Sequence, residues 1–290
     1  MVMKKIILIS IFLLIACQKP EPKVENPSPT INPATSLSVA AFNVQIFGLS
    51  KMSKPLVVEQ LKKIIQRYDL VLIQEIRDSS GAAILNLQSQ VNQVNDRFDL
   101  VIGSRQGRTS SKEQYAYFYD RTKLQVVSQK DYNDALDTFE REPFLVKFKF
   151  LSTSDEFFVL GIHTKPEDAK NELDYLKTVF NETATDFGTD NSIMMGDFNS
   201  DCTYLSDPEW TSLSFNNDSF FTPWFDKAGD STVAPTTICQ YDQMITTGRM
   251  TTVAVPGSNK VFNFLLNYGL TQTEAEDVSD HYPVEMQFQF

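Results

Sequence analysis

The sequence predicts an α/β (α+β) domain in which sheet packs on sheet and helices lie outside. Three observations carry this: many short runs rich in β-branched and aromatic residues, only a few stretches with helical spacing, and no internal repeat. The strands are expected at Leu37–Phe47, Leu70–Glu75, Phe98–Gly103, Ala116–Asp120, Leu124–Gln129, Phe144–Phe150, Phe157–His163, Ser192–Asn199, Tyr241–Thr246 and Pro283–Phe290. Helical spacing places Leu61, Ile64 and Ile65 on one stripe of Leu56–Arg67 and Leu173, Leu176 and Phe180 on one stripe of Glu167–Phe180, with a further helix over Ala82–Val94. Several polar candidates fall at or just after strand ends, where loops meet solvent and the strands hold them rigid.

The first residues read as a leader rather than as part of the fold. Lys4 and Lys5 precede an apolar run from Ile6 to Ala16 that ends at Cys17, the layout of a bacterial export signal. At about a dozen residues the run is short for a membrane span. Leu14-Ile15-Ala16-Cys17 resembles a lipobox, which makes Cys17 the expected lipidation site and residues 1–17 a lipoprotein-type signal; the alternative is an ordinary signal peptide with an incidental cysteine. Lipid at Cys17 would tether the chain without making it span the bilayer. Residues 18–36 are rich in Pro, Asn, Ser and Thr and read as an extended tether. Residues 37–290 are long enough for one large domain with a substantial core. The expected location is therefore exported, either anchored to the cell envelope or secreted, with a monomer as the default state.

The whole chain carries 26 Lys and Arg against 37 Asp and Glu; residues 1–36 hold four basic residues and two acids, which leaves a net charge of −13 on the domain. That argues against a protein that coats nucleic acid electrostatically. It leaves room for an enzyme that meets a polyanion through a divalent cation and a few arginines. With Cys17 set aside, Cys202 and Cys239 remain; in an exported protein they read most simply as a disulfide, the alternative being two free thiols.

The chemistry-bearing residues are few. The chain has two histidines, His163 at the end of an apolar strand and His281 in Val278-Ser279-Asp280-His281-Tyr282-Pro283. Ester hydrolysis by in-line attack needs one group to deprotonate water and another to protonate the leaving oxygen, and histidine does both near neutrality. Each taken alone reads better as a structural histidine; that both are flanked by acids and other motif residues favours the chemistry. Asn43 is an amide on a buried strand, which needs partners. Glu75 closes its strand as a hard oxygen ligand, or as an ion-pair partner of Arg77. In Gly196-Asp197-Phe198-Asn199, an extended chain puts Asp197 and Asn199 on one side, although the string also suits an Asx turn. Asp242 and Asp280 stand ready to orient a histidine, and Glu113 can serve the other.

In this order, these residues resemble the endonuclease/exonuclease/phosphatase superfamily and, more closely, its deoxyribonuclease I branch. Asn43, Glu75, the Gly196–Asn199 string and Ser279-Asp280-His281-Tyr282-Pro283 are superfamily features. Residues 68–79, Lys112-Glu113-Gln114-Tyr115, Arg141-Glu142-Pro143, Val255-Pro256-Gly257-Ser258 and the cysteine pair point to the branch. The resemblance implies a four-layer αββα sandwich with two packed mixed β-sheets and the site at one edge. It implies Mg²⁺- or Mn²⁺-dependent hydrolysis of double-stranded DNA with low sequence specificity, leaving 5′-phosphate ends.

By the same resemblance His163–Glu113 and His281–Asp242 are the acid/base pairs, with His281 the base and His163 the acid. Glu75, Asp197, Asn199, Asp280 and Asn43 form the metal and phosphate cradle, and Arg77, Arg108 and Arg141 grip DNA. Two positions depart from the branch: Ser111 stands where an aromatic residue stacks on a sugar, and Gln45 where a basic residue meets phosphate. Residues 230–237 resemble a structural Ca²⁺ loop, one residue longer here. Within the same superfamily, the alternative function is a sphingomyelinase-like phosphodiesterase acting on lipid or sugar phosphates. A third reading is a silent surface protein that keeps the fold for binding.

Overall fold

The computed structural model describes residues 32–290. The signal, the lipidation of Cys17 and the tether up to residue 31 lie outside the described residues. Asn32 caps the turn Pro33–Thr35, and its N–H donates to Gln289 Oε1, so residues 32–36 are already docked on the domain.

The strands are β1 (Ser36–Phe47), β2 (Leu70–Ile76), β3 (Phe98–Ile102), β4 (Gln114–Asp120), β5 (Leu124–Asp131), β6 (Phe144–Phe150), β7 (Glu156–His163), β8 (Ser192–Asp197), β9 (Phe221–Pro223), β10 (Asp242–Thr247), β11 (Lys260–Val261) and β12 (Val284–Gln289). They form two six-stranded sheets, ordered β11-β12-β1-β2-β4-β3 and β5-β6-β7-β8-β10-β9. Both are mixed: β1 runs parallel to β2 and β7 parallel to β8, while the other neighbours are antiparallel. The helices are α1 (Leu49–Met52), α2 (Pro55–Gln66), α3 (Ala82–Asn92), α4 (Ala169–Phe187), α5 (Asp207–Ser212), α6 (Gly248–Val253), α7 (Phe264–Tyr268) and α8 (Gln272–Val278). Among the described residues no helix is long and apolar enough to cross a membrane.

Strand alternation builds the layers. On β1, Leu37, Val39 and Ala41 point between the sheets, while Ala40, Phe42 and Val44 point outward beneath α2, α3, α7 and α8. On the second sheet Phe157 and Val159 face inward, and Phe158, Leu160 and Ile162 face outward under α4. Strands buried on both faces read as continuous apolar runs, and the result is the four-layer αββα sandwich. α4 runs seven residues beyond the expected end at Phe180, because Thr183 and Phe187 prolong its buried stripe, and stops at the left-handed Gly188 (φ 66°).

Candidate active site

Strand register assembles the site at one edge of both sheets. Parallel β7 and β8 place His163 beside Asp197, and antiparallel β10 places Asp242 on the other side of Asp197. In the first sheet Asn43 lies beside Gln74, one residue before Glu75. The loop from α8 into β12 delivers His281, tied down by its own N–H to Ser279 Oγ and by Ser279 Oγ–H to Asn43 O.

Two histidine–carboxylate pairs result. His163 Nδ1 lies 3.0 Å from Glu113 Oε2 and His281 Nδ1 lies 2.7 Å from Asp242 Oδ2. A carboxylate only accepts, so each Nδ1 carries its proton and each Nε2 is turned toward the chemistry. Both Nε2 atoms stand 3.5 Å from Asp197 Oδ2. Burial pushes the Glu113 carboxyl up, but the hydrogen bond and charge of His163 with the charges of Arg141 and Arg77 outweigh it and hold it at about 2. Burial pushes His281 down, and the charges of Asp242 and Asp197 outweigh that and raise it well above the ordinary histidine value. Asp242 is raised by its burial.

Asn43 is not satisfied by neighbouring backbone alone. Its Nδ2 donates to Glu75 Oε1 and to Asp197 Oδ2, each at 3.1 Å, while Oδ1 accepts from Gln45 N. The chain reaches this geometry through a break in the β1–β2 register, with Gln45, Ile46 and Glu75 all at positive φ. Left-handed backbone at a β-branched residue is costly. It is repaid in part by Ile46 N–H, which donates to Glu75 Oε2 at 2.8 Å. Glu75 also has the ion pair with Arg77 that the sequence suggested, at 3.4 Å.

The extended arrangement expected for Asp197 and Asn199 is corrected. β8 ends at Asp197, and Asn199 is left-handed (φ 46°) with its N–H on Asp197 Oδ1. This is the Asx turn, and it sends the Asn199 amide to Thr164 O at 3.0 Å. A cation fits the donor set that remains. Asp242 Oδ1 and Asp280 Oδ1 are buried without a hydrogen-bond partner, and Asp197, Asp242 and His281 offer atoms within 4.8 Å of one another. Asp242 is committed to His281, which leaves the oxygens of Glu75, Asp197, Asn43 and Asp280 as candidates for a hard cation.

The expected DNA-contact residues are placed unequally. Arg77 bridges Glu75, Glu113 and Ser111, and Arg108 pairs with Asp137 at the exposed rim. Gln45 donates to Asp280 Oδ2. Arg141 is largely buried, with Nε on His163 O and Nη2 on Thr164 O, so two of its N–H groups hold main chain. In the loop that resembles a Ca²⁺ site, Asp230 Oδ1 already accepts from Thr232 N, Thr232 Oγ1 and Cys239 N. Cys202 and Cys239 are joined as a disulfide, with Cα atoms 5.8 Å apart.

Two supports escaped the reading of the sequence. Gln74, fully buried, spans the two sheets: Nε2 donates to Ile162 O at 2.7 Å and Oε1 accepts from Asp197 N at 3.0 Å. A Cβ on Gly196 (φ 140°) would sit 2.1 Å from that same carbonyl, so only glycine fits there. Tyr115 Oη accepts from His163 N. An amide inside the apolar run of β2 was the one visible signal.

Solved structures share this architecture. An endonuclease/exonuclease/phosphatase family protein of Bacteroides thetaiotaomicron matches with TM-score 0.60 at 18% identity, over 88% of this chain and 98% of its own. D. rerio TDP2 complexed with single strand DNA product matches with TM-score 0.63 at 14% identity, over 88% and 100%. At such identities the likeness is one of fold. The model of the endonuclease/exonuclease/phosphatase family matches residues 40–281. Deoxyribonuclease-1 of Bos taurus is 36% identical over 259 residues, 87% of this chain and 92% of its own length. Deoxyribonuclease gamma of Homo sapiens is 35% identical over 269 residues, 90% and 88%. The chain belongs to the endonuclease/exonuclease/phosphatase family, in its deoxyribonuclease I branch.

Proposed function

We propose that this chain, a phosphodiester hydrolase by family, is an exported metal-dependent endonuclease that cuts double-stranded DNA with low sequence specificity and leaves 5′-phosphate ends. The observation that carries the reading is the pair of buried histidine–carboxylate couples whose Nε2 atoms both face Asp197. In-line hydrolysis needs a base and an acid at opposite ends of the reacting phosphorus. His281, oriented by Asp242, takes the proton of the attacking water as its oxygen bonds to phosphorus. His163, oriented by Glu113, gives its proton to the departing 3′ oxygen as that bond breaks. Asn199, whose amide spends one N–H on Thr164 O, is an amide donor for the non-bridging oxygens, and Asp197 stabilises the imidazolium on either side.

Glu75, Asp197, Asn43 and Asp280 would hold Mg²⁺ or Mn²⁺. Such a cation supplies charge against the non-bridging oxygens and offsets the acids that raise His281. Arg77 and Arg108 would meet the phosphate backbone. With few base-edge contacts expected, cutting would follow groove width and flexibility. The export reading rests on residues 1–17 and the disulfide, and the lipid anchor on Cys17.

End analysis tests the chemistry. Linear duplex digested with Mg²⁺ and then treated with ligase is expected to rejoin without added kinase. Ends that need a kinase first would overturn the proposed leaving group. Hydrolysis of sphingomyelin vesicles in preference to duplex would move the assignment to lipid phosphodiesters.

A further inference from the structure

The nuclease chemistry leaves a buried carboxyl of α4 without a task and without an ion pair. Glu172, in the first turn of α4, is fully buried. The nearby cations are spent elsewhere, Arg141 on Glu113 and Lys165 on Glu140. Its two oxygens go instead to two main-chain N–H groups on different loops: Oε1 accepts from Glu140 N at 2.9 Å and Oε2 from Lys165 N at 3.2 Å. Burial pushes this carboxyl up to about 7, against the pull of those two bonds and of the Arg141 charge. A buried carboxylate without an ion pair is expensive, and an amide could accept from only one of the two donors.

The two loops it joins bracket the acid. Residue 140 precedes Arg141, whose guanidinium holds His163 O and Thr164 O, each at 2.9 Å. Residue 165 follows Thr164, whose hydroxyl and N–H are fixed on Phe198 O and Asp197 O. The carboxylate and the guanidinium therefore form consecutive rungs between the same two loops. Without the first, the guanidinium would be left as the remaining rung beside the main chain that carries the His163 ring.

We propose that Glu172 is a positioning residue for His163, acting through Arg141 to fix the backbone from which the imidazole reaches Glu113 and the leaving oxygen. This rests on the reading of His163 as the general acid. A sub-ångström to ångström misplacement of a catalytic group costs on the order of ten- to a hundredfold in rate.

The test is Glu172→Gln in the full chain, with two readouts. The chain has only two histidines, so the imidazole ¹⁵N and ¹H resonances report each ring separately. Those of His163 are expected to move and those of His281 to stay. With Mg²⁺ and duplex DNA, kcat is expected to fall about tenfold to a hundredfold while KM stays within about twofold. Against a p-nitrophenyl phosphodiester, whose leaving group needs no acid, the loss is expected to vanish. Unchanged His163 resonances and kcat would overturn the proposal. So would equal movement of both histidines with equal loss on both substrates, the mark of a general packing role. If Glu172→Gln does not fold, Glu172→Asp, which keeps the charge and shortens the reach, is read the same way. A wild-type chain that fails to cut DNA would defeat the nuclease reading and leave the resonance comparison standing.

Discussion

Replacing Glu113 by glutamine removes the carboxylate that His163, Arg77 and Arg141 share. In the fold this carboxyl is held at about 2, against an ordinary value of 4.5. A displacement of that size corresponds to about 3 kcal/mol of preference for the ionised form in the native state. Because the folded value lies below the unfolded one, this stability is fully present above pH 4.5. It is lost as pH falls through 4.5 toward 2. Glutamine keeps the shape but can accept from only one of His163 Nδ1 and Arg77 Nη2, now at 3.0 and 2.8 Å from the two carboxylate oxygens. Glu113→Gln is therefore expected to lose about 2–3 kcal/mol in urea unfolding at pH 7, and roughly 4–12 °C in Tm for a domain of this size. The gap between variant and wild type should close as the titration moves from pH 5 to pH 3. kcat should drop about a hundredfold to ten-thousandfold at pH 7, as when an orienting carboxylate is lost from a histidine couple. A stability difference that stays constant from pH 7 to pH 3 would refute the argument, since the loss would then come from packing rather than from charge.

Two further outcomes follow from the same geometry. Gln74→Leu leaves Asp197 N and Ile162 O unpaired between the sheets; it should cost about 2–4 kcal/mol and weaken Mn²⁺ binding followed by electron paramagnetic resonance. Unaltered binding of Mn²⁺ would separate Gln74 from the site. Ser111→Tyr combined with Gln45→Arg restores a stacking ring and a phosphate contact. It should lower KM for duplex DNA severalfold and leave kcat near wild type. An unchanged KM would mean that these positions do not meet the substrate.

The strands were readable because each carries a run of apolar residues long enough to show its burial, and register then follows from the packing. β9 and β11 were not, since they span three and two residues and carry no periodicity. The short helices α5 and α8 show no apolar stripe in the sequence, although both begin with capping boxes, Ser206 with Glu209 and Thr271 with Glu274. In the site, the two histidines and their four flanking acids stood out by type and order, because chemistry restricts those residue types. What did not stand out was the support. Gln74 meets Asp197 across 123 positions of sequence and Glu172 meets Glu140 across 32, contacts that only the stacking of two sheets and α4 creates. At Asn199 the sequence left an extended chain and an Asx turn equally open, because a left-handed asparagine leaves no periodic trace.

The most direct measurement is nicking of supercoiled plasmid by the purified chain with Mg²⁺, beside the same reaction with chelator and beside His163→Ala. Nicks that need the cation and fall by about a thousandfold or more in the variant are the predicted result. Well-folded protein that leaves the plasmid intact with Mg²⁺ or Mn²⁺, or a His163→Ala variant that nicks as fast as wild type, would contradict the account.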